Sequence, residues 1–100
     1  MRLLHSNVNS ASQADITIIG VPDESRSYAK RKGASKGPNS LRIASNSFEF
    51  FERAGKIIPI CSMKGTLDDK KIFDYGNTSR KNLHKLIFDI ASAKKIPFTI

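Results

Sequence analysis

Apolar residues in this chain fall into short runs, and each run predicts a different element. Ile16 to Val21 reads Ile-Thr-Ile-Ile-Gly-Val, nearly continuous and rich in β-branched residues. Such a run predicts a strand buried on both faces, as in a parallel sheet, and Pro22 ends its ladder. Residues 22–37 are polar and basic, a loop longer than a simple connector needs. Pro38 suits the first turn of a helix, where its missing N–H costs nothing. Leu41, Ala44, Phe48 and Phe51 follow at helical spacing, with Ile43 and Phe50 widening the stripe. This helix is therefore expected to bury that stripe as core and to stop near Gly55. Lys56 to Ser62 is apolar, but Pro59 inside it demotes it to an edge strand or a peripheral extended segment.

Gly65 to Asp69 predicts a turn, and Lys71 to Gly76 a second short strand closing in a Gly turn. Thr78 or Ser79 can cap the next helix, whose Leu83, Leu86, Ile87, Ile90, Ala91 and Lys94 make an apolar face with a basic flank. Ile96 to Ile100 reads as a third strand. Residues 1–14, rich in Ser, Asn and Gln, predict an irregular N-terminal arm. The order strand, long loop, helix, strand, helix, strand argues an α/β architecture with parallel pairing.

Charge adds a question to this picture. Seventeen basic residues against nine acidic give a net charge of +8 over 100 residues. That balance suits a nucleic-acid or anionic partner, but part of a larger protein need not be balanced locally, and this second reading is preferred. The loop of residues 22–37 carries Arg26, Lys30, Arg31, Lys32 and Lys36 around Tyr28, opposed by Asp23 and Glu24. One aromatic and no periodic basic face favour a solvated loop, so nucleic acid is not expected as a partner. Cys61 is the only cysteine, which excludes an intrachain disulfide and suits a reducing cytoplasm. The first 14 residues offer only Leu3-Leu4 as an apolar pair, far short of a signal segment or a membrane span.

The chemistry-bearing residues are few. A catalytic metal needs several converging His or carboxylate ligands. Only His5 and His84 are present, the first in the arm and the second on a helix with no ligand partner at i±3 or i±4. Cys61 has no neighbouring base to activate it and reads as a small buried hydrophobe. Gly33 to Gly37 has glycine spacing suited to phosphate, yet Pro38-Asn39 follow where a P-loop needs Lys and Ser or Thr. No Gly-x-Gly-x-x-Gly follows the first strand. A weak anion site at the helix start, using its N–H groups and Lys36, stays open. Asp74 lies near the C-terminal end of a strand. It is either a carboxylate supporting a ligand site or, preferred here, an Asp that accepts backbone N–H bonds in the Asp-Tyr-Gly-Asn turn.

Four short pieces stand in a recognisable order: Gly20-Val21-Pro22, Gly33-Ala34, Gly37-Pro38 with Leu41-Arg42, and Asp74-Tyr75-Gly76-Asn77. Together they resemble the N-terminal signature of the ureohydrolases, the agmatinases and arginases. The last piece resembles the family's Asp-x-Gly-Asp strand end, with Asn77 in place of the acid. Asp23-Glu24 stand where agmatinases often have Phe-Asp, and Lys32 where a Pro commonly precedes Gly-Ala. The resemblance implies a three-layer αβα fold with a parallel sheet, arginase-like. Residues 15–100 would supply its first three strands and two helices, with the first strand between the other two and the outer edge of the third covered by a later strand.

The resemblance further implies a homo-oligomeric (trimeric or hexameric) cytoplasmic hydrolase that converts a guanidino substrate to urea and an amine on two Mn²⁺ ions. Its ligands would lie in Gly-Gly-Asp-His, Asp-Ala-His-x-Asp and Asp-x-Asp segments absent from residues 1–100, so this stretch is expected to hold no catalytic or metal-binding residue and to be inactive alone. Gly20, Pro22, Gly33, Gly37, Pro38, Arg42, Asp74 and Gly76 are its candidates for architecture or pocket rim. The alternatives are a free-standing basic nucleic-acid-binding module and a phosphate- or nucleotide-binding α/β domain.

Overall fold

A computed structural model describes residues 1–3, 6–26, 28, 30–47, 50–53, 56–59 and 70–100. Its centre is strand β1, Ile16–Gly20, flanked by β4, Ile72–Asn77, and β5, Ile96–Thr99, in a parallel sheet of order β4-β1-β5. Helix α1, Gly37–Ser47, and helix α2, Arg80–Ser92, complete this α/β unit. Two further strands, β2 (Phe50–Arg53) and β3 (Lys56–Pro59), form a separate antiparallel pair. A central parallel strand explains the β1 composition. Ala14, Thr17 and Ile19 are completely inaccessible, and Ile72 and Ile90 are buried beside them. Among the described residues the Thr17 hydroxyl has no hydrogen-bond partner in this core, an arrangement that costs about 1–3 kcal/mol.

Pairing of β1 with β4 runs Ile16–Ile72, Thr17–Phe73 and Ile18–Asp74, then skips to Ile19–Gly76. Tyr75 is thus the extra residue of a bulge, and it is exposed. Bulges re-aim side chains and commonly stand beside functional sites. Gly76 makes this one possible. Its φ of 95° is closed to most side chains, and its N–H donates to Asp74 Oδ1 at 3.0 Å.

Helix α1 departs from its sequence pattern in two ways. It stops at Ser47, and the backbone of Phe50 and Phe51 belongs to β2. The expected core stripe is also turned outward, since Leu41 and Ile43 are more than half exposed and Ala44 is exposed. The face that meets the sheet instead carries Pro38 and Arg42, both buried, at i and i+4. One charged residue fixes the orientation of this helix, and apolar periodicity cannot reveal it. Phe48, Gly55, Cys61 and the turn expected at residues 65–69 lie outside the described residues.

Helix α2 follows its pattern except at Ala91, which is exposed. Ser79 caps it, accepting the Asn82 N–H at 3.3 Å, while Leu83, Leu86 and Ile87 are half-buried and Ile90 is buried. The helix ends at Ser92, so Lys94 belongs to its C-terminal turn and not to its face. Lys94 takes φ of 60°, with Lys94 N–H bonding Ala91 O and Lys95 N–H bonding Ile90 O. That is a Schellman closure with Lys where Gly is usual.

The N-terminal arm has no regular structure, yet it is tied to the outer edge of β4. Asn7 Oδ1 accepts the Ile72 N–H at 2.7 Å, and Ser6 Oγ accepts the Asp74 N–H at 3.1 Å. Ile72 O accepts the Asn7 N–H at 2.9 Å. Asn46 of α1 donates to Arg2 O at 2.7 Å, and the Arg2 guanidinium lies 5.5 Å from the Phe73 ring centre. Side-chain acceptors thus cap an edge that would otherwise be open to another strand. Deleting residues 1–8 is expected to uncover that edge, to lower the melting temperature and to raise light scattering at micromolar concentration. Size-exclusion chromatography with in-line scattering reads the outcome directly.

Candidate functional site

The strand order places its switch point between β1 and β5. From β1 the chain moves to one side, reaches β4, then returns across β1 to β5. In open parallel sheets, the crevice outside the C-terminal strand ends at such a point is where ligands bind. Two adjoining cavities of about 400 and 420 Å³ lie at these strand ends, and Asp23 and Arg80 line both. The first is bounded also by Val21, Glu24, Arg26, Ala34, Leu83 and Thr99, the second by Pro22, Asn77, Thr78 and Ser79. Arg80, in the first turn of α2, is half exposed, 3.9 Å from the Asp23 carboxylate. At that distance and exposure the pair is weak, and both groups face the crevice.

Beneath the crevice lies a buried ionic network. Arg42 from α1 grips Asp74 from β4 through two parallel bonds, Nε to Oδ2 at 2.7 Å and Nη2 to Oδ1 at 2.8 Å. The two side chains are 3% and 1% exposed. Nη1 donates to Asn77 Oδ1 at 2.6 Å and to Asn39 Oδ1 at 3.2 Å. Asn77 Nδ2 donates to Asn39 Oδ1 at 3.0 Å, and the Leu3 N–H reaches Asp74 Oδ2 at 2.9 Å. Burial alone would push the Asp74 carboxyl up, but the Arg42 bonds and the Leu3 and Gly76 N–H groups hold it below its ordinary range.

Gly20 is where this network crosses β1. A methyl group there would collide with Asn77 Oδ1, stand 2.9 Å from Pro38 Cβ and 3.1 Å from Arg42 Nη1. Since Pro38 is a rigid ring and Asn77 is held at both ends of its amide, no easy relaxation exists. Gly20, Pro38, Arg42, Asp74, Gly76 and Asn77 therefore form one cluster. Pro22 is exposed on the rim. Gly37 has ordinary helical angles and open space around it, so glycine's freedom is not what the chain uses there. The Asp74 turn bond to Gly76 was legible in the sequence. The Arg42 partnership was not, because no local spacing links residues 32 positions apart.

The basic loop has its own anchor. Glu24 accepts the Gly33 N–H at 2.7 Å, the Ala34 N–H at 2.9 Å and the Ser35 hydroxyl at 3.1 Å. These bonds, the Gly33 N–H foremost, lower the Glu24 pKa. A short 3₁₀ turn, Ala34–Lys36, leads from there into α1. Glu24 thus occupies the N–H groups at the start of the 3₁₀ turn, which are not those of the first turn of α1, where the sequence leaves a weak anion site open. Asp23 likewise accepts the Ser25 N–H at 2.8 Å, which lowers its pKa.

His84 is exposed on α2, and His5 lies outside the described residues. Among the described residues no group of three or more His, Cys, Asp or Glu is placed to hold a metal ion, and no helix is long and apolar enough to cross a membrane. Comparison with known proteins finds no matching family model, no matching curated protein and no matching solved structure.

Replacing Arg42 with Ala strands a buried carboxylate. The expected loss is about 3–5 kcal/mol of folding stability, the range for breaking a buried pair from one side, and urea unfolding measures it. The acid limb tests the same pair. The Asp74 pKa is lower in the folded chain than its ordinary 3.8, so its ionisation adds stability that is fully present above that value. The contribution fades as pH falls through the folded pKa. Asp74→Asn is expected to lower stability at neutral pH and to lose less than the wild type between pH 5 and pH 2, read from melting temperatures across the series.

Proposed function

We propose that this chain is the N-terminal part of a Mn-dependent ureohydrolase, agmatinase-like, with an arginase-type three-layer αβα fold. One observation carries the reading. Pieces of the resembled signature that lie far apart in sequence converge at one point: Gly20 after β1, Pro38 and Arg42 on α1, and Asp74, Gly76 and Asn77 at the end of β4. A shared cluster is the physical reason such pieces would occur together. The strand order, with β1 between β4 and β5, is the one the family resemblance implies. Ile96 and Phe98, more than half exposed on one face of β5, are apolar surface that a larger domain would cover.

In this reading the cluster ties the paired ends of β1 and β4 to α1, and residues 23–36 form part of the pocket rim. The chain's own residues do not fit a two-metal centre, since the described part offers no ligand group; the ions would be held by residues beyond 100. The enzyme would be cytoplasmic and oligomeric, acting on a small guanidino compound.

The test uses the complete reading frame that contains residues 1–100. It is expected to continue past Ile100 into Gly-Gly-Asp-His or a close variant. Loaded with Mn²⁺, its product is expected to release urea from agmatine, arginine or a related guanidine. The 100-residue chain alone is expected to give no urea above a no-protein control. A frame with no His in the loop after Ile100, and a product without urea release from any of these substrates, overturns the proposal.

A further inference from the structure

We propose that the basic loop between Glu24 and Gly33 is a contact surface for single-stranded nucleic acid. The proposal does not rest on the ureohydrolase reading, although Glu24 and Arg26 of this loop also line the crevice at the strand ends. Its first support is how the carboxylates are used. The two acids of residues 22–37 are both engaged by the loop's own groups, Glu24 with Gly33, Ala34 and Ser35, and Asp23 with Ser25. Asp23 also stands 3.9 Å from Arg80 and feels the Arg26 charge, but among the described residues no ion pair involves Arg26, Lys30, Arg31 or Lys36. All four are exposed. The positive charge that the sequence concentrates here is therefore presented outward.

The second support is the clamp itself. Glu24 joins the two ends of the loop, and Arg26, Tyr28, Lys30 and Arg31 between them are all exposed. The third is Tyr28. Its side chain is fully exposed, with a relative accessibility of 102%, in the middle of the cations. A buried partner would explain an aromatic in a loop, and among the described residues this ring has none. Cations that track phosphates around an aromatic platform for an unpaired base are the recurring elements of single-strand binding. Duplex reading fits less well, because no helix or strand presents these cations to a groove. A lipid surface fits less well too, because membrane docking draws on an apolar face that this loop lacks.

The experiment measures fluorescence anisotropy of labelled dT20 and U20 with the chain, from 50 to 300 mM salt. Saturable binding is expected, weakening with salt as counterions are displaced. R26A/K30A/R31A is expected to bind at least about tenfold more weakly at 50 mM salt and to flatten the log–log salt slope by about 2, three phosphates at about 0.7 each. Tyr28→Ala is expected to lose about tenfold with its slope unchanged, as removal of one stacking surface does. K71A/K81A/K85A removes as much charge from other exposed positions and is expected to stay within about twofold of wild type. Circular dichroism confirms that each variant is folded, which their exposure favours.

Absence of binding at 50 mM salt overturns the proposal. Equal weakening by the two triple variants does so as well, since it assigns the effect to net charge. Loop-dependent binding to phosphatidylserine vesicles without oligonucleotide binding would replace nucleic acid with a lipid surface and equally overturn it.

Discussion

Everything at the C-terminal end of this sheet depends on one buried charge pair. Arg42 and Asp74 meet at 2.7 and 2.8 Å with almost no solvent access. Such a pair does not guarantee stability, because the cost of removing both charges from water can equal their attraction. What it does is forbid alternatives. Rotating α1 to bury Leu41 and Ile43 would strand the carboxylate. Straightening the bulge at Tyr75 would remove the Gly76 N–H from Asp74 Oδ1. Adding a side chain at Gly20 would displace Asn77 from the Arg42 guanidinium. The helix orientation, the bulge and the glycine are consequences of one interaction.

The same pair connects the arm to the core. Leu3 gives its N–H to the Asp74 oxygen that also accepts from Arg42 Nε. Ser6 and Asn7 then satisfy the β4 edge with side-chain atoms. A Ser- and Asn-rich stretch is polar enough to read as an unstructured tail. Its polar atoms are nonetheless of the kind that can pair with an open strand edge. Composition describes what a segment cannot bury, and it says little about what the segment can cap.

This separates what the sequence makes legible from what it hides. β1, β4 and α2 could be read because their identity comes from burial of apolar residues, which leaves a period in the chain, and β5 from its short apolar run although Ile96 and Phe98 stand exposed. Ser79 could be read as a cap, because capping is local. The outward stripe of α1 misled, since Leu41, Ala44 and Ile43 repeat as a core face would while the real inward face carries Pro38 and Arg42. The end of α1 was misplaced because Phe50 and Phe51 continue its spacing although their backbone pairs with β3. Of the candidate site, the glycines and Asp74 could be marked individually. Their assembly could not, because it rests on contacts between residues more than thirty positions apart.

About half of the residues that carry the family resemblance are fixed by packing or backbone angle, while Pro22, Ala34, Leu41 and Tyr75 are exposed and Gly37 has open space around it. Gly20, Pro38, Arg42, Asp74 and Gly76 each occupy a position where a neighbour or a backbone angle excludes most substitutes. The residues that face the crevice are different. Asp23, Arg26 and Arg80 are at least partly exposed, and no packing constraint selects their identity. Physical constraint preserves a pattern where it is tight, so a resemblance built on such a cluster speaks first about architecture. Reaction chemistry belongs to sites placed on that architecture, and in a parallel sheet those sites are supplied by the loops beyond the strand ends. The Arg42–Asp74 cluster therefore defines the platform, and the crevice above it is lined by charged groups, at least partly exposed, that stand outside that cluster.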